Sequence, residues 1–531
     1  MKFLVQGLIL VRLRRTGYVC SALTMKERIR MTKSIFARSL CLLAAGALLL
    51  GSAGTAHAQK NKQPNIVHIV ADDLGWKDVG FNGATDIKTP NIDELATGGA
   101  KFEQFYSMNI CTPSRACLMT GRYPFRYGLQ TIVIPGPASY GLDTSEYLLP
   151  QVLKDAGYNT AIIGKWHLGH ADTKYWPKQR GFDYAYGANI GEVDYFTHSD
   201  AGVLDWYRNN EPVIEEGYTT QLIGADAVKY INEQRADKPF YLYLTFNAPH
   251  TPYQAPQDYI DRFANIEDPT RRTYAGMIAC LDDEIGRVVA ALEKKKLRKN
   301  TLIIFHSDNG GTRNPMAAGQ MADVTKIKLP CDNGPFREGK GTLFEGGSRV
   351  AAFANWPGKI KPGTVEGMVA GIDLLPTFAT LAGASTAKCK PLDGMNVWET
   401  IAENKPSPRT EYIYNVEPFR AAVRQGDWKL IWRPLIPTSV DLFDLAKDPY
   451  ETTNLAAAHP DKVKAMQDRL NTLGTEAAKS LGLIYITQTG LAHGTPVMGS
   501  IDGKGAVMVS PDGHSITDEA FGEREAQPDK K

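Results

Sequence analysis

Residues 65–73 read NIVHIVADD, and residues 301–311 read TLIIFHSDNGG. Each is a β-branched, apolar run that stops abruptly at acidic or amide side chains. Such a run, bounded by polar residues, reads as a strand buried on both faces, which is how strands look in a parallel sheet covered by helices. The same texture recurs at NTAIIGKWH (159–167) and FYLYLTFNAPH (240–250). Between these runs lie the amphipathic stretches Pro90–Gly98, Tyr147–Ala156, Gly224–Gln234 and Arg271–Lys296. The alternation, from Pro64 to about Gly383, predicts an α/β fold with a large mixed, mostly parallel sheet sandwiched by helices. In such sheets the functional groups gather beyond the carboxyl ends of the strands.

After Gly383 the texture changes. WKLIWRP (428–434) and SVDLFDLAKDPYETTNLA (439–456) read as antiparallel strands and a turn, followed by a helix around Pro460–Leu473. This predicts a smaller C-terminal α+β domain with an antiparallel sheet, which suits a chain of 531 residues, too long for one ordinary core. The expected organisation is a leader over 1–58, an N-terminal catalytic domain over 59–384, the smaller domain over 385–485 and an extension over 486–531. The leader is read from Lys33 and Arg38, the apolar run Leu40–Leu50 and the small-residue site Ala56-His57-Ala58. Cleavage is expected after Ala58, giving a periplasmic or secreted protein. The apolar run is too short to span a membrane, so no stable insertion is expected. The arginines upstream are unusual before a leader, and Met31 or Met25 is read as the true start; a long basic n-region is the other reading. A formal net charge of +2 gives no reason to invoke nucleic acid.

The strand ends carry the chemistry. Asp72 and Asp73 close the first run, Asp308 and Asn309 the last. Adjacent anions at strand ends repel, and a bound cation relieves them. Three carboxylates and one amide oxygen form a hard, all-oxygen set suited to Ca²⁺ or Mg²⁺. Lys165 and His167 follow the run at 159, His250 sits on a Pro-flanked loop, and Lys340 lies in a Gly-rich segment. If the strand persists, Lys165 and His167 share a face. Together with Arg115 these cations suit a small tetrahedral oxyanion. His68 and His306, inside apolar runs, are expected to be satisfied core groups. Removal of the leader takes Cys20 and Cys41 from seven cysteines and leaves an odd five, which flags one thiol with a separate role. A bridge between Cys331 and Cys389 is left open.

The stretch CTPSRACLMTGR (111–122) resembles the sulfatase signature C-x-P-S-R-x-x-L-x-T-G-R. ADDLGWKDVGFNG, KTPNIDELATGGAKF, LLPQVLKDAGYNTAIIGKWHLG, NAPHTPY, SDNGG and KGTLFEGGSRV are similar to the same family in the same order, and LFDLAKDPYETTNLA to its C-terminal domain. GLQTIVIP and YGANIGEVDYFTH look most like the arylsulfatase B (N-acetylgalactosamine-4-sulfatase) branch. The resemblance implies an alkaline-phosphatase-like fold and hydrolysis of sulfate esters, aryl or glycan. It implies that a formylglycine-generating maturation enzyme oxidises Cys111 to Cα-formylglycine. One hydroxyl of the hydrated aldehyde would attack sulfur, and the second would release sulfate. It further implies that Asp72, Asp73, Asp308, Asn309 and residue 111 hold one Ca²⁺. Arg115 would orient the nucleophile, Lys165 and Lys340 would bind sulfate oxygens, His250 with Lys340 would protonate the leaving group, and His167 would take a proton during release. A formylglycine-dependent phosphonate or phosphate monoester hydrolase shares the motif, and a non-catalytic sulfated-glycan-binding protein could keep the fold.

Overall fold

The computed structural model describes residues 63–314, 329–435 and 437–489, together with 498, 508–509 and 515–516. The leader lies outside the described residues, as does most of the extension. Ten strands form the main sheet: β1 Asn65–Ala71, β2 Ala100–Phe102, β3 Asn159–Gly164, β4 Tyr184–Gly187, β5 Tyr207–Arg208, β6 Glu211–Pro212, β7 Phe240–Thr245, β8 Thr301–Ser307, β9 Ala352–Asn355 and β10 Gly363–Val365. Their order is β10-β2-β9-β8-β1-β7-β3-β4-β5-β6. The centre, β8-β1-β7-β3-β4, is parallel throughout. Antiparallel neighbours appear only where β9 meets β8 and β2, and where β5 meets β4 and β6. The sheet is therefore mixed and mostly parallel, as its apolar runs imply.

Both faces are covered, which explains the unbroken apolar composition of the central strands. Val67, Ile69 and Ala71 pack into one core with the helices α4 (Thr219–Glu233) and α5 (Pro269–Lys294). Ile66 and Val70 pack into the other with residues of α2 (Cys111–Thr120) and α3 (Leu149–Asp155), while α1 (Pro90–Thr97) joins the first. Pairs of apolar faces meeting in this way remove water from whole strands, and that burial is the main driving force for the architecture. His68 and His306 sit in this interior, joined Nε2 to Nε2 at 2.8 Å, with His68 Nδ1 3.2 Å from Tyr241 Oη.

A second, antiparallel sheet follows in the order β11 (Glu411–Val416), β12 (Ala421–Gln425), β13 (Trp428–Arg433), β14 (Ser439–Asp444), with the helix α6 (Pro460–Thr475) against it. Its inner face shares a core with Tyr106, Met108, Tyr123 and Phe344. The second sheet thus reaches the segment that carries Lys340.

Candidate active site

The parallel strands deliver their following residues to one edge. Beyond β1 come Asp72 and Asp73, and beyond β8 come Asp308 and Asn309, all buried. Asp73 takes a left-handed φ of 62°, a conformation that costs a non-glycine residue about 1–2 kcal/mol. Such strain persists where surrounding contacts over-determine it. Asp308 N bonds to Ala71 O at 3.0 Å, and Asp73 N donates to Asp308 Oδ1 at 3.3 Å. A Cβ on Gly310 would lie 1.7 Å from Gly346 O, so only glycine allows this loop to meet the Lys340 segment backbone to backbone. Lys340 N bonds to Gly311 O at 3.1 Å and Gly341 N to Asn109 O at 2.7 Å.

Cys111 is the first residue of α2, with Ile110 at the cap and Pro113 within the first turn, where a missing N–H costs nothing. Its Sγ lies 3.5 Å from Asp72 Oδ1 and 4.0 Å from Asp73 Oδ1. Burial pushes the thiol well above its ordinary pKa, despite the nearby Lys165 and Lys340 ammonium groups. A thiol held protonated is a poor nucleophile.

The cations surround it. Arg115 donates from Nη2 to Asp308 Oδ2 at 2.8 Å and from Nη1 to Lys165 O at 3.1 Å and Thr245 Oγ1 at 2.5 Å. Lys165 Nζ reaches Asp72 Oδ2 at 2.5 Å. Lys340 Nζ reaches Asp73 Oδ2 at 2.8 Å and His250 Nε2 at 3.0 Å. His250 Nδ1 donates to Thr251 O at 2.7 Å, which leaves Nε2 to accept from Lys340. Burial, then the Lys340 charge, pushes the imidazole down to about 3, so it is neutral without a bound anion. Burial and the neighbouring Asp308 carry the Asp72 carboxyl up to about 7, which Lys165 and Arg115 only partly offset. Burial opposes ionisation of Asp73 too, but Lys340 and His250 outweigh it and hold the carboxylate well below its usual range.

One expectation is corrected. Lys165 and His167 do not share a strand face: β3 ends at Gly164, which has a φ of 115°, and His167 has a φ of 59°. A turn, not alternation, brings them in. His167 Nε2 lies 3.2 Å from Ile134 O, and Nδ1 has no hydrogen-bond partner among the described residues. The five cysteines after the leader are all unbridged; Cys331 Sγ meets Thr312 O, and Cys389 Sγ meets Tyr147 O at 3.7 Å. Thr245, the partner of Arg115, and Thr312, whose Oγ1 donates to Asp73 Oδ2 at 2.9 Å, escaped the sequence reading. Thr245 was detectable as the one threonine in FYLYLTF.

The donor set fits a hard cation. Three buried carboxylates converge, and Asn309 Oδ1 is buried with no partner among the described residues, an acceptor left for a ligand. Asp72, Asp73, Cys111 and His250 also offer atoms within 4.8 Å of one another. His250 is the poorer ligand of these, because its Nε2 already accepts from Lys340.

Comparison with known proteins identifies the family. The chain matches the sulfatase family over residues 64–384 and the C-terminal region of N-sulphoglucosamine sulphohydrolase over 338–476. It is 35% identical to mouse arylsulfatase J over 79% of this chain and 76% of that protein. It is 34% identical to human N-acetylgalactosamine-6-sulfatase over 68% of this chain and 70% of that one. The crystal structure of Ps i-CgsB in complex with k-i-k-neocarrahexaose superposes with a TM-score of 0.72 at 32% identity, covering 81% of this chain and 98% of the other. These matches do not single out the arylsulfatase B branch. The chain belongs to the sulfatase family and is a sulfuric ester hydrolase.

Proposed function

We propose that the protein is an exported, Ca²⁺-dependent glycan O-sulfatase whose nucleophile is formylglycine made from Cys111 by a maturation enzyme. The observation that carries this reading is Cys111 Sγ, buried at the start of α2 and 3.5 Å from Asp72 Oδ1, among Arg115, Lys165 and Lys340. Sulfated glycans are favoured over aryl sulfates because one relative is named for N-acetylgalactosamine-6-sulfate and one similar structure binds a carrageenan oligosaccharide. Export rests on the leader read at 1–58, with cleavage after Ala58; among the described residues no helix is long and apolar enough to cross a membrane. The division into a catalytic domain to residue 384 and a smaller domain to 485 is part of the same reading.

Asp72, Asp73, Asp308, Asn309 and residue 111 would hold the Ca²⁺, which supplies positive charge for activating an oxygen nucleophile and binding sulfate. Formylglycine supplies a hydrated aldehyde, with one hydroxyl for attack and one for release. The chain's own groups do the rest. Arg115 ties Asp308 to the floor of the site and offsets its charge. The N-terminal end of α2 adds a partial positive charge beside residue 111. Lys165 and Lys340 hold sulfate oxygens in a water-poor setting, where each charge counts for more than in water. The Lys340–His250 pair holds the proton that the leaving alkoxide needs, and His167 Nδ1 is free to accept one during release. A panel of sulfated mono- and disaccharides, assayed beside an aryl sulfate and an aryl phosphonate, tests this. Release of sulfate from the sugars should dominate; a dominant phosphonate activity contradicts it.

A further inference from the structure

Two asparagines of the site's loops bury side-chain amides that have no hydrogen-bond partner among the described residues. Asn109 stands two residues before Cys111 and is fully buried, yet neither Nδ2 nor Oδ1 has a hydrogen-bond partner among the described residues. Asn247 follows β7 and is in the same state. An amide buried without partners is costly, and native proteins keep such groups where a ligand or water meets them.

Their neighbours indicate what they face. Tyr241 and Tyr243 on β7 belong to the core shared with α2, whereas Phe246 and Ala248 belong to the core on the opposite face. The alternation therefore continues past the end of β7, and Thr245, which meets Arg115, shares the α2 face with Asn247. The backbone of Asn247 is fixed from both sides: Phe246 N bonds to Val70 O at 2.9 Å and Asp72 N to Ala248 O at 3.1 Å. Its carbonyl accepts from His250 N and from Tyr195 Oη, at 2.9 and 2.7 Å. Lys165 N bonds to Thr245 O at 2.8 Å, which puts Asn247 between Lys165 and Asp72 in the sheet. Asn109 lies on the other side, bound through its carbonyl to Gly341, next to Lys340. The Asn109 backbone is thus bonded to the residue after Lys340, and Asn247 lies two residues beyond the one bonded to Lys165.

We propose that Asn109 and Asn247 are substrate-binding residues whose Nδ2 groups donate to oxygens of the sulfate group, one beside Lys340 and one beside Lys165. A sulfate monoester offers three terminal acceptor oxygens and no donor. Two ammonium groups cannot satisfy every lone pair directionally, and two rigid amides complete the shell without adding charge. The inference rests on the reading of the Cys111 site as the active site.

The test is competitive inhibition by inorganic sulfate, with kcat and KM, for the matured full-length enzyme and for N109A, N247A and K165A. Loss of a hydrogen bond to a charged group should raise the sulfate inhibition constant and KM about ten- to a hundredfold in each asparagine variant. The melting temperature should hold or rise, since an unpartnered buried amide has been removed. Unchanged sulfate inhibition in folded N109A and N247A overturns the proposal, as does a lowered melting temperature with sulfate inhibition unaltered. Should an alanine variant fail to fold, N109D or N247D keeps the shape and replaces the donor by an acceptor; it should bind sulfate at least as poorly. If the aspartate variant also fails to fold, the amide is structural and the proposal falls. K165A separates the two levels: wild-type activity in K165A would mean that the site itself is misread, whereas an inactive K165A beside normal asparagine variants refutes only this inference.

Discussion

Two groups of buried charges lie on either side of the segment that carries Lys340, and they are built differently. In one, Lys429 Nζ sits 2.9 Å from Glu345 Oε1 and 2.8 Å from Glu451 Oε1, with all three side chains fully buried. Tyr106 and Tyr414 donate to the same Glu345 carboxylate, at 2.7 and 2.5 Å, and Glu451 Oε2 accepts from Glu345 N at 2.7 Å. Burial works against ionisation of Glu345, yet Lys429 and two arginines hold it low, at about 2. That group is nearly closed: every charge faces an opposite one, although Glu451 Oε1 meets the Lys429 ammonium without a hydrogen bond among the described residues. In the other, around Cys111, the carboxylates and cations also pair, but Asn309 Oδ1, His167 Nδ1 and the side-chain amides of Asn109 and Asn247 have no hydrogen-bond partner among the described residues. Buried ion pairs alone therefore do not mark a functional site; what sets the second group apart is several unmatched polar groups clustered beside its charges. The closed group fixes the second sheet to the loop that positions Lys340, while the open one keeps groups that the proposed cation and sulfate ester would meet.

The largest expected effect breaks the open group. Cys111→Ala should lower kcat/KM by at least about 10⁴-fold, the scale of losing a covalent nucleophile, with a melting temperature near the wild-type value. Unfolding of this variant would make residue 111 structural. Next, Lys429→Met strikes the closed group and takes the shared ammonium from two buried carboxylates, with Arg349 and Arg424 remaining near Glu345. Stability measured by denaturant titration should fall by about 3–5 kcal/mol, and activity only as far as the Lys340 loop loosens. Chelation should separate the two groups. If metal is held at a hundredfold excess over its Kd, its removal costs about 2.7 kcal/mol, seen as a lower melting temperature and lost activity. The cost of Lys429→Met should be the same with or without chelator.

A smaller effect concerns protons. Burial lowers His170 to about 4 from the ordinary 6.5, although its Nε2 lies 2.7 Å from Gly136 O. The unfolded chain then binds the proton first as pH falls, so stability from this group is present above 6.5 and is lost as pH drops towards 4. Between about pH 7 and about pH 5 the loss is about 2 kcal/mol, and His170→Gln should be spared it. Parallel titration slopes for wild type and variant in denaturant unfolding would contradict this.

The sequence made much of the open group legible, because its carboxylates and Asn309 follow apolar runs, the pattern buried parallel strands leave. Asp72, Asp73, Asp308 and Asn309 were readable for that reason, and Cys111 through its motif. The closed group was not readable: Glu345, Lys429 and Glu451 lie in three separate segments, and only packing of the second sheet unites them. Asn109 and Asn247 were also missed, since an asparagine in a loop is ordinary until its burial and missing partners are seen. The sequence leaves open whether the strand persists through Lys165 and His167, and the breaker that ends it, Gly164, lies at the close of the apolar run.

The central claim is that sulfate ester hydrolysis here depends on an aldehyde at position 111. The direct measurement is the mass of the proteolytic peptide containing residue 111, taken from enzyme of the native host alongside its specific activity. The peptide should be about 18 Da lighter than the cysteine form, since CH₂SH becomes CHO, and its fraction should track activity across preparations. Fully active enzyme with an unmodified thiol at residue 111 would contradict the account.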